Sequence, residues 1–108
     1  EAALADFARQ KRYEETIVAL AELTHSAIEV IRPLMQSLRD DGLLVACKVA
    51  KLSWESTAAV LDCRYASGSL SETELTQAKT EYAEITAENA RRLLSFWQLR
   101  STEPSRTH

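Results

Sequence analysis

Between Leu4 and Leu38 the apolar residues recur at helical spacing. Ile17, Leu20, Thr24, Ala27, Ile31, Leu34 and Leu38 alternate steps of three and four, the seam of a helix facing a partner. Phe7, Ala21, Ile28 and Met35 widen the stripe on one side and Leu23 and Val30 on the other, so this helix is expected to touch at least two neighbours. Pro33 falls inside the pattern, where it removes a backbone donor and crowds the carbonyl four residues back. Because the seam continues in phase across it, the pattern predicts one long helix kinked near Pro33.

Asp40, Asp41 and Gly42 interrupt this pattern, with Gly42 suited to a left-handed helix end and the aspartates to capping the next helix. From about Leu43 to Ala66 most residues are apolar, which predicts a second, central helix covered around most of its circumference. Lys48, Lys51, Glu55 and Asp62 leave it one narrow charged strip, and Ala46, Ala50, Ser53 and Thr57 run nearly opposite as a groove of small residues. Gly68 suits the position past its end. Ser71 and Glu74 then read as a capping box, with Leu70 and Leu75 at the positions of a hydrophobic staple. A third helix is predicted from Ser71 to about Leu99. It turns Leu75, Ala78, Tyr82, Ile85, Leu93 and Phe96 inward, and Ala83, Ala87, Ala90, Leu94 and Trp97 broaden that stripe. No internal repeat is visible.

Three helices joined by short turns must run up, down and up. The expected fold is all-α, an elongated antiparallel three-helix bundle over residues 1–100, followed by a polar tail, 101–108, that contains Pro104. A third helix about 43 Å long exceeds the roughly 26 Å breadth of a compact domain of this size, so the expected shape is a rod with a thin core. Apolar flanks left uncovered on the first two helices point to a homo-oligomer, a dimer forming a larger bundle, or to docking on another helical protein.

Composition agrees with one ordered helical domain: 108 residues include only 2 Gly and 2 Pro, with 45% hydrophobic and 27% charged. A net charge of −3 without a dense Lys/Arg block lacks the footprint that nucleic-acid binding requires. Lys48, Lys51 and Glu55 interrupt the most hydrophobic stretch, so no transmembrane segment is expected. Cys47 and Cys63, too few for a disulfide framework and sixteen residues apart on one predicted helix, read as small buried thiols of a cytoplasmic protein.

Glu22 and His25 have the Glu-x-x-His spacing of di-iron carboxylate bundles, with Glu29 nearby and Glu81, Glu84 and Glu88 on the third helix. Helical phase puts Glu22 and His25 on the outer face beside Arg32, whereas ligands must project inward, so a solvated face outweighs the metal reading. A phosphotransfer role for His25 rests on exposure alone, and no Lys or Gly flanks it to accommodate phosphate. His108 lies in the tail. The segment from Ala90 to Arg100 combines three arginines with Leu93, Leu94, Phe96, Trp97 and Leu99, either an anchor for an acidic partner or core residues with dipole-complementing arginines. The chain contains no Gly-rich phosphate loop, nucleophile elbow, Cys-x-x-Cys pair or zinc-protease helix, which leans against an enzyme and implies no cofactor.

The first expectation is therefore a non-catalytic helical interaction and dimerisation module with a regulatory or scaffolding role, anchored by Trp54, Arg64, Trp97 and Arg92. The second is a small-ligand site, sensory or enzymatic, where Asn89, Tyr82, Arg64 and Trp54 converge within the bundle or between subunits. A weaker third is an inhibitor or immunity-type partner, which the mildly acidic charge permits.

Overall fold

Among the described residues, three other than glycine hold a left-handed backbone: Lys11 at φ 58°, His25 at φ 55° and Lys51 at φ 61°. Each ends a helix. A computed structural model describes residues 2–37, 40–64 and 71–102, with side chains described up to Leu99. Within these residues the chain forms seven helices: α1 (Ala2–Arg9), α2 (Tyr13–Thr24), α3 (Ile28–Gln36), α4 (Asp41–Val49), α5 (Trp54–Cys63), α6 (Glu72–Glu84) and α7 (Ala87–Thr102). The three long helices expected from the periodicity are thus broken, the first into three pieces and the others into two each. With a radius of gyration of 13.5 Å and extents of 42 × 27 × 25 Å, the result is a compact globule rather than a rod.

The hydrogen bonds at the left-handed residues explain the breaks. After α1, Lys11 N–H donates to the Ala8 carbonyl at 3.0 Å and Arg12 N–H reaches back to Phe7 at 2.9 Å. After α2, His25 donates to Glu22 at 3.2 Å and Ser26 to Ala21 at 2.9 Å; after α4, Lys51 donates to Lys48 at 3.0 Å and Leu52 to Cys47 at 3.1 Å. This paired pattern is the Schellman motif, which satisfies carbonyls that a helix end would orphan and turns the chain sharply. A side chain at such a position costs roughly 1 kcal/mol relative to glycine, so tertiary packing sustains these turns.

Two of the turns are equivalent. His25 and Lys51 are 26 residues apart, and each is followed two residues later by an extended helix-capping residue, Ala27 (ψ 150°) and Ser53 (ψ 165°). Consequently the α2–α3 and α4–α5 connections share one turn geometry that residue identities conceal. Ser53 Oγ accepts from the Ser56 N–H at 3.3 Å. The last break, between α6 and α7, is made differently: Ile85 is extended, and Thr86 Oγ1 accepts from the Asn89 N–H at 3.1 Å to start α7.

The single long first helix expected to run through Pro33 is not formed. The chain turns at His25 instead, and α3 carries Pro33 in its interior on an exposed face. Gly42 is not a helix terminus either. It lies in the first turn of α4, where an added Cβ would come within 2.8 Å of Leu34 Cδ2, so its role is close approach of α4 to α3. Asp40 precedes α4 without capping it through its side chain. The capping box of Ser71 and Glu74 is present, at 3.0 and 3.1 Å. Leu38, Gly68, Leu70, Pro104 and His108 lie outside the described residues.

In the middle lies α4, packed against α2, α3, α5, α6 and α7, with Leu43, Leu44, Val45, Ala46 and Cys47 all buried. Leu4, Ile17, Leu20, Ile31, Met35, Val60 and Leu61 complete the core. Buried threonines bond back along their own helices: Thr16 to the Arg12 carbonyl at 2.8 Å, Thr24 to Leu20 at 2.9 Å and Thr57 to Ser53 at 2.9 Å. This local bonding lets hydroxyls occupy core positions without a distant partner. No described helix is long and apolar enough to cross a membrane.

Tyr82 secures the third left-handed turn from across the core. Its hydroxyl donates to the Leu52 carbonyl at 2.7 Å, with the Cys47 carbonyl 3.2 Å away, and its ring lies under Lys48 Nζ at 4.2 Å. Tyr82→Phe removes this buried bond while keeping the ring. The expected loss is about 1 kcal/mol, a fall in Tm of about 4–8 °C for a domain this size, measured by circular dichroism.

Candidate functional site

The break at Ile85–Thr86 resets the helical phase of α7 and reverses part of its expected orientation. Ala90 and Leu94 face the core, at 0% and 2% exposure, whereas Leu93, Phe96 and Leu99 point outward at 43%, 53% and 66%. A continuous helix from Ser71 would have turned Leu93 and Phe96 inward. Along the outer face Arg92 lies between these apolar groups, exposed and 3.4 Å from the Glu88 carboxylate. The outer face of α7 is therefore an apolar stripe with a cation inside it.

A second surface lies across α1 and α2. Phe7, Val18 and Ala19 floor a groove of about 450 Å³ rimmed by Glu14, Glu15 and Glu22. Arg12 covers the Phe7 ring at 5.4 Å and bonds Glu15 at 2.8 Å. Arg32 of α3 donates to Glu14 at 2.7 Å, which holds that carboxyl below its ordinary pKa. Glu22 lies on the rim at the α2 end of the groove.

A third concavity, about 300 Å³, is lined by Asp40, Asp41, Glu74, Gln77, Ala78 and Glu81. Arg64 holds one of these lining residues: its guanidinium bonds Asp40 and donates to the Ser37 carbonyl at 2.9 Å, and its side chain is 5% exposed. Arg64 thereby ties the end of α5 to the α3–α4 junction.

Residues singled out from the sequence are dispersed. Trp54 and Tyr82 meet, with ring centroids 6.0 Å apart, while Arg64 is engaged with Asp40 and Asn89 is exposed on α7. Trp97 is half-buried, its ring edge 3.9 Å from where a Gly42 Cβ would lie, so much of it packs within the domain. Arg92 alone of the four anchor candidates lies on the outer α7 face. Glu22 and His25 do not share one helical face, because His25 has left the helix; among the described residues no three acidic, His or Cys side chains group as metal ligands.

Cys47 and Cys63 belong to different helices, α4 and α5, rather than to one. Burial pushes the Cys47 thiol up to about 12 from an ordinary 9.0, against a smaller opposing effect of Thr57; burial also raises Cys63, whose Sγ lies 3.7 Å from Thr16 Oγ1. A folded-state value above the unfolded one means stability is full below pH 9.0 and falls as pH rises toward 12. Both thiols should resist an aromatic disulfide reagent at pH 8 and react fully after unfolding in guanidinium. Rapid reaction of the native protein would contradict their burial.

Comparison with known proteins adds family membership. No curated protein and no solved structure matches the chain. Residues 1–95, from α1 to the middle of α7, match the model of one bacterial family, and on that extent the chain belongs to the family described as "Uncharacterised protein conserved in bacteria (DUF2336)".

Proposed function

We propose that the protein is a non-catalytic helical interaction module that self-associates through α7 in a regulatory or scaffolding role. The observation that carries this reading is the exposed stripe of Leu93, Phe96 and Leu99. Fully covering such a side chain is worth about 1.5–3 kcal/mol, so three half-exposed ones leave a few kcal/mol available to a partner. Scattered apolar residues need no explanation, but three on one helical face around an arginine form a patch.

The partner is a second copy of the chain. Its α1–α2 groove offers an apolar floor of Phe7, Val18 and Ala19, and its rim carboxylates complement the cation on the stripe. Arg92 meets Glu22 in this arrangement, and a two-fold pairing makes the contact twice. Regulation would then act through the association equilibrium.

Light scattering coupled to size exclusion tests the reading. The wild type should be a dimer at micromolar concentration, and Phe96→Glu a folded monomer. Arg92→Glu should weaken the dimer at least about tenfold, and adding Glu22→Arg in the same chain should restore it. A wild type that stays monomeric, or a dimer indifferent to Phe96→Glu, would refute the proposed contact.

A further inference from the structure

We propose that the groove between the ends of α2 and α4 and the flank of α7 binds a small oxyanion ligand, a phosphate or carboxylate carried on a short apolar group. This groove, about 420 Å³, lies in the size range of small-ligand sites, and His25, Lys51, Arg91 and Ser95 are among the residues that line it. It shares no residue with the proposed self-association contact.

Charge distribution is the first argument. The chain has 16 acidic against 13 basic residues, and the α1–α2 groove and the concavity beside Asp40 are both rimmed by carboxylates, yet among the described residues no carboxylate lines this one. Among the described residues Arg9, Lys11, Arg12, Arg32, Arg64 and Arg92 are engaged in ion pairs. Neither Lys51 nor Arg91 has such a partner among the described residues, and both line this groove together with His25.

Backbone geometry is the second. At all three left-handed turns a glycine would be favoured. Lys11 has a structural use for its side chain, donating to the Asp62 carbonyl at 2.9 Å and lying 3.9 Å from the Asp62 carboxylate. Among the described residues His25 and Lys51 make no such contact. Both residues nevertheless occupy turns of the same geometry and line one groove, so neither left-handed side chain is explained by a contact among the described residues.

A simpler role would be to offset the helix C-termini of α2 and α4, which add about half a negative charge each. Lys51 and Arg91 exceed that total by about one positive charge even with His25 neutral. Arg91, moreover, lies in the second turn of α7, well before its C-terminal turn, so the dipole of its own helix does not call for a cation there. Its guanidinium can take an oxyanion in a two-pronged bond, with Lys51 as a second charge and Ser95 as a neutral donor. Leu23, Val49 and Leu94 supply apolar wall for the rest of the ligand.

Titration of the full chain with phenyl phosphate, benzoate and inorganic phosphate, followed by calorimetry and amide NMR shifts, tests the proposal. Saturable binding of phenyl phosphate or benzoate, tighter than inorganic phosphate and with shifts at residues 23–25, 49–51 and 91–98, is expected. The better of the two organic probes identifies the oxyanion. Arg91→Gln and Lys51→Gln should each weaken it about tenfold with Tm unchanged, while Lys79→Gln on α6 leaves it intact. Absence of saturable binding by both organic probes, or equal weakening by Lys79→Gln, would overturn it.

Discussion

The structure depends on three left-handed residues that are not glycines. Lys11, His25 and Lys51 each end a helix in a Schellman pair of backbone bonds, and each reverses a chain whose apolar pattern would otherwise run on. Without them the first sixty residues would form two long helices with more apolar surface than neighbours could cover. With them, α1 folds onto α5, and α4 packs against α2, α3, α5, α6 and α7 with residues 43–47 buried. Each turn costs backbone energy locally, and burial of Ile17, Leu20, Leu43, Leu44 and Leu61 at or near zero exposure offsets that cost. The Tyr82 hydroxyl at the Leu52 carbonyl works to the same end: a side chain from α6 holds the turn that lets α5 pack.

Helicity, the central position of residues 43–47 and the Ser71–Glu74 cap were all legible in the sequence, because each rests on residue types whose physics is local. The seam of threes and fours was legible too, and it misled. Ile17, Leu20 and Thr24 share a face within α2, and Ile31 and Met35 within α3, so the pattern survives a turn that the eye reads through. Glycine would have marked the turns; His25 and Lys51 did not. Ser53 and Thr86 did carry helix-start signals, and reading them would have split the second and third helices where the structure splits them.

Errors of phase propagate to surfaces. Leu93 and Phe96 belong to the core only if α7 continues α6; once Thr86 restarts the helix, they face outward around Arg92, and Ala90 and Leu94 take the inner side. The same logic relocates His25 from a helical flank to the edge of a basic groove. Trp54, Arg64 and Trp97, conspicuous as residue types, serve largely to hold the domain together: Trp54 on Tyr82, Arg64 on Asp40 and Ser37, Trp97 beside Gly42. Residue type alone does not separate an anchor for a partner from an anchor for the fold, whereas position relative to a turn does.

The most direct measurement compares glycine with alanine at His25 by thermal or chemical unfolding, using Glu22 within α2 as the helical reference. A left-handed His25 predicts that His25→Gly is at least as stable as His25→Ala, although at Glu22 glycine is worse than alanine by about 1 kcal/mol. Should glycine at His25 lose about the same 1 kcal/mol, residue 25 would be helical, and the account of how this chain turns would be wrong.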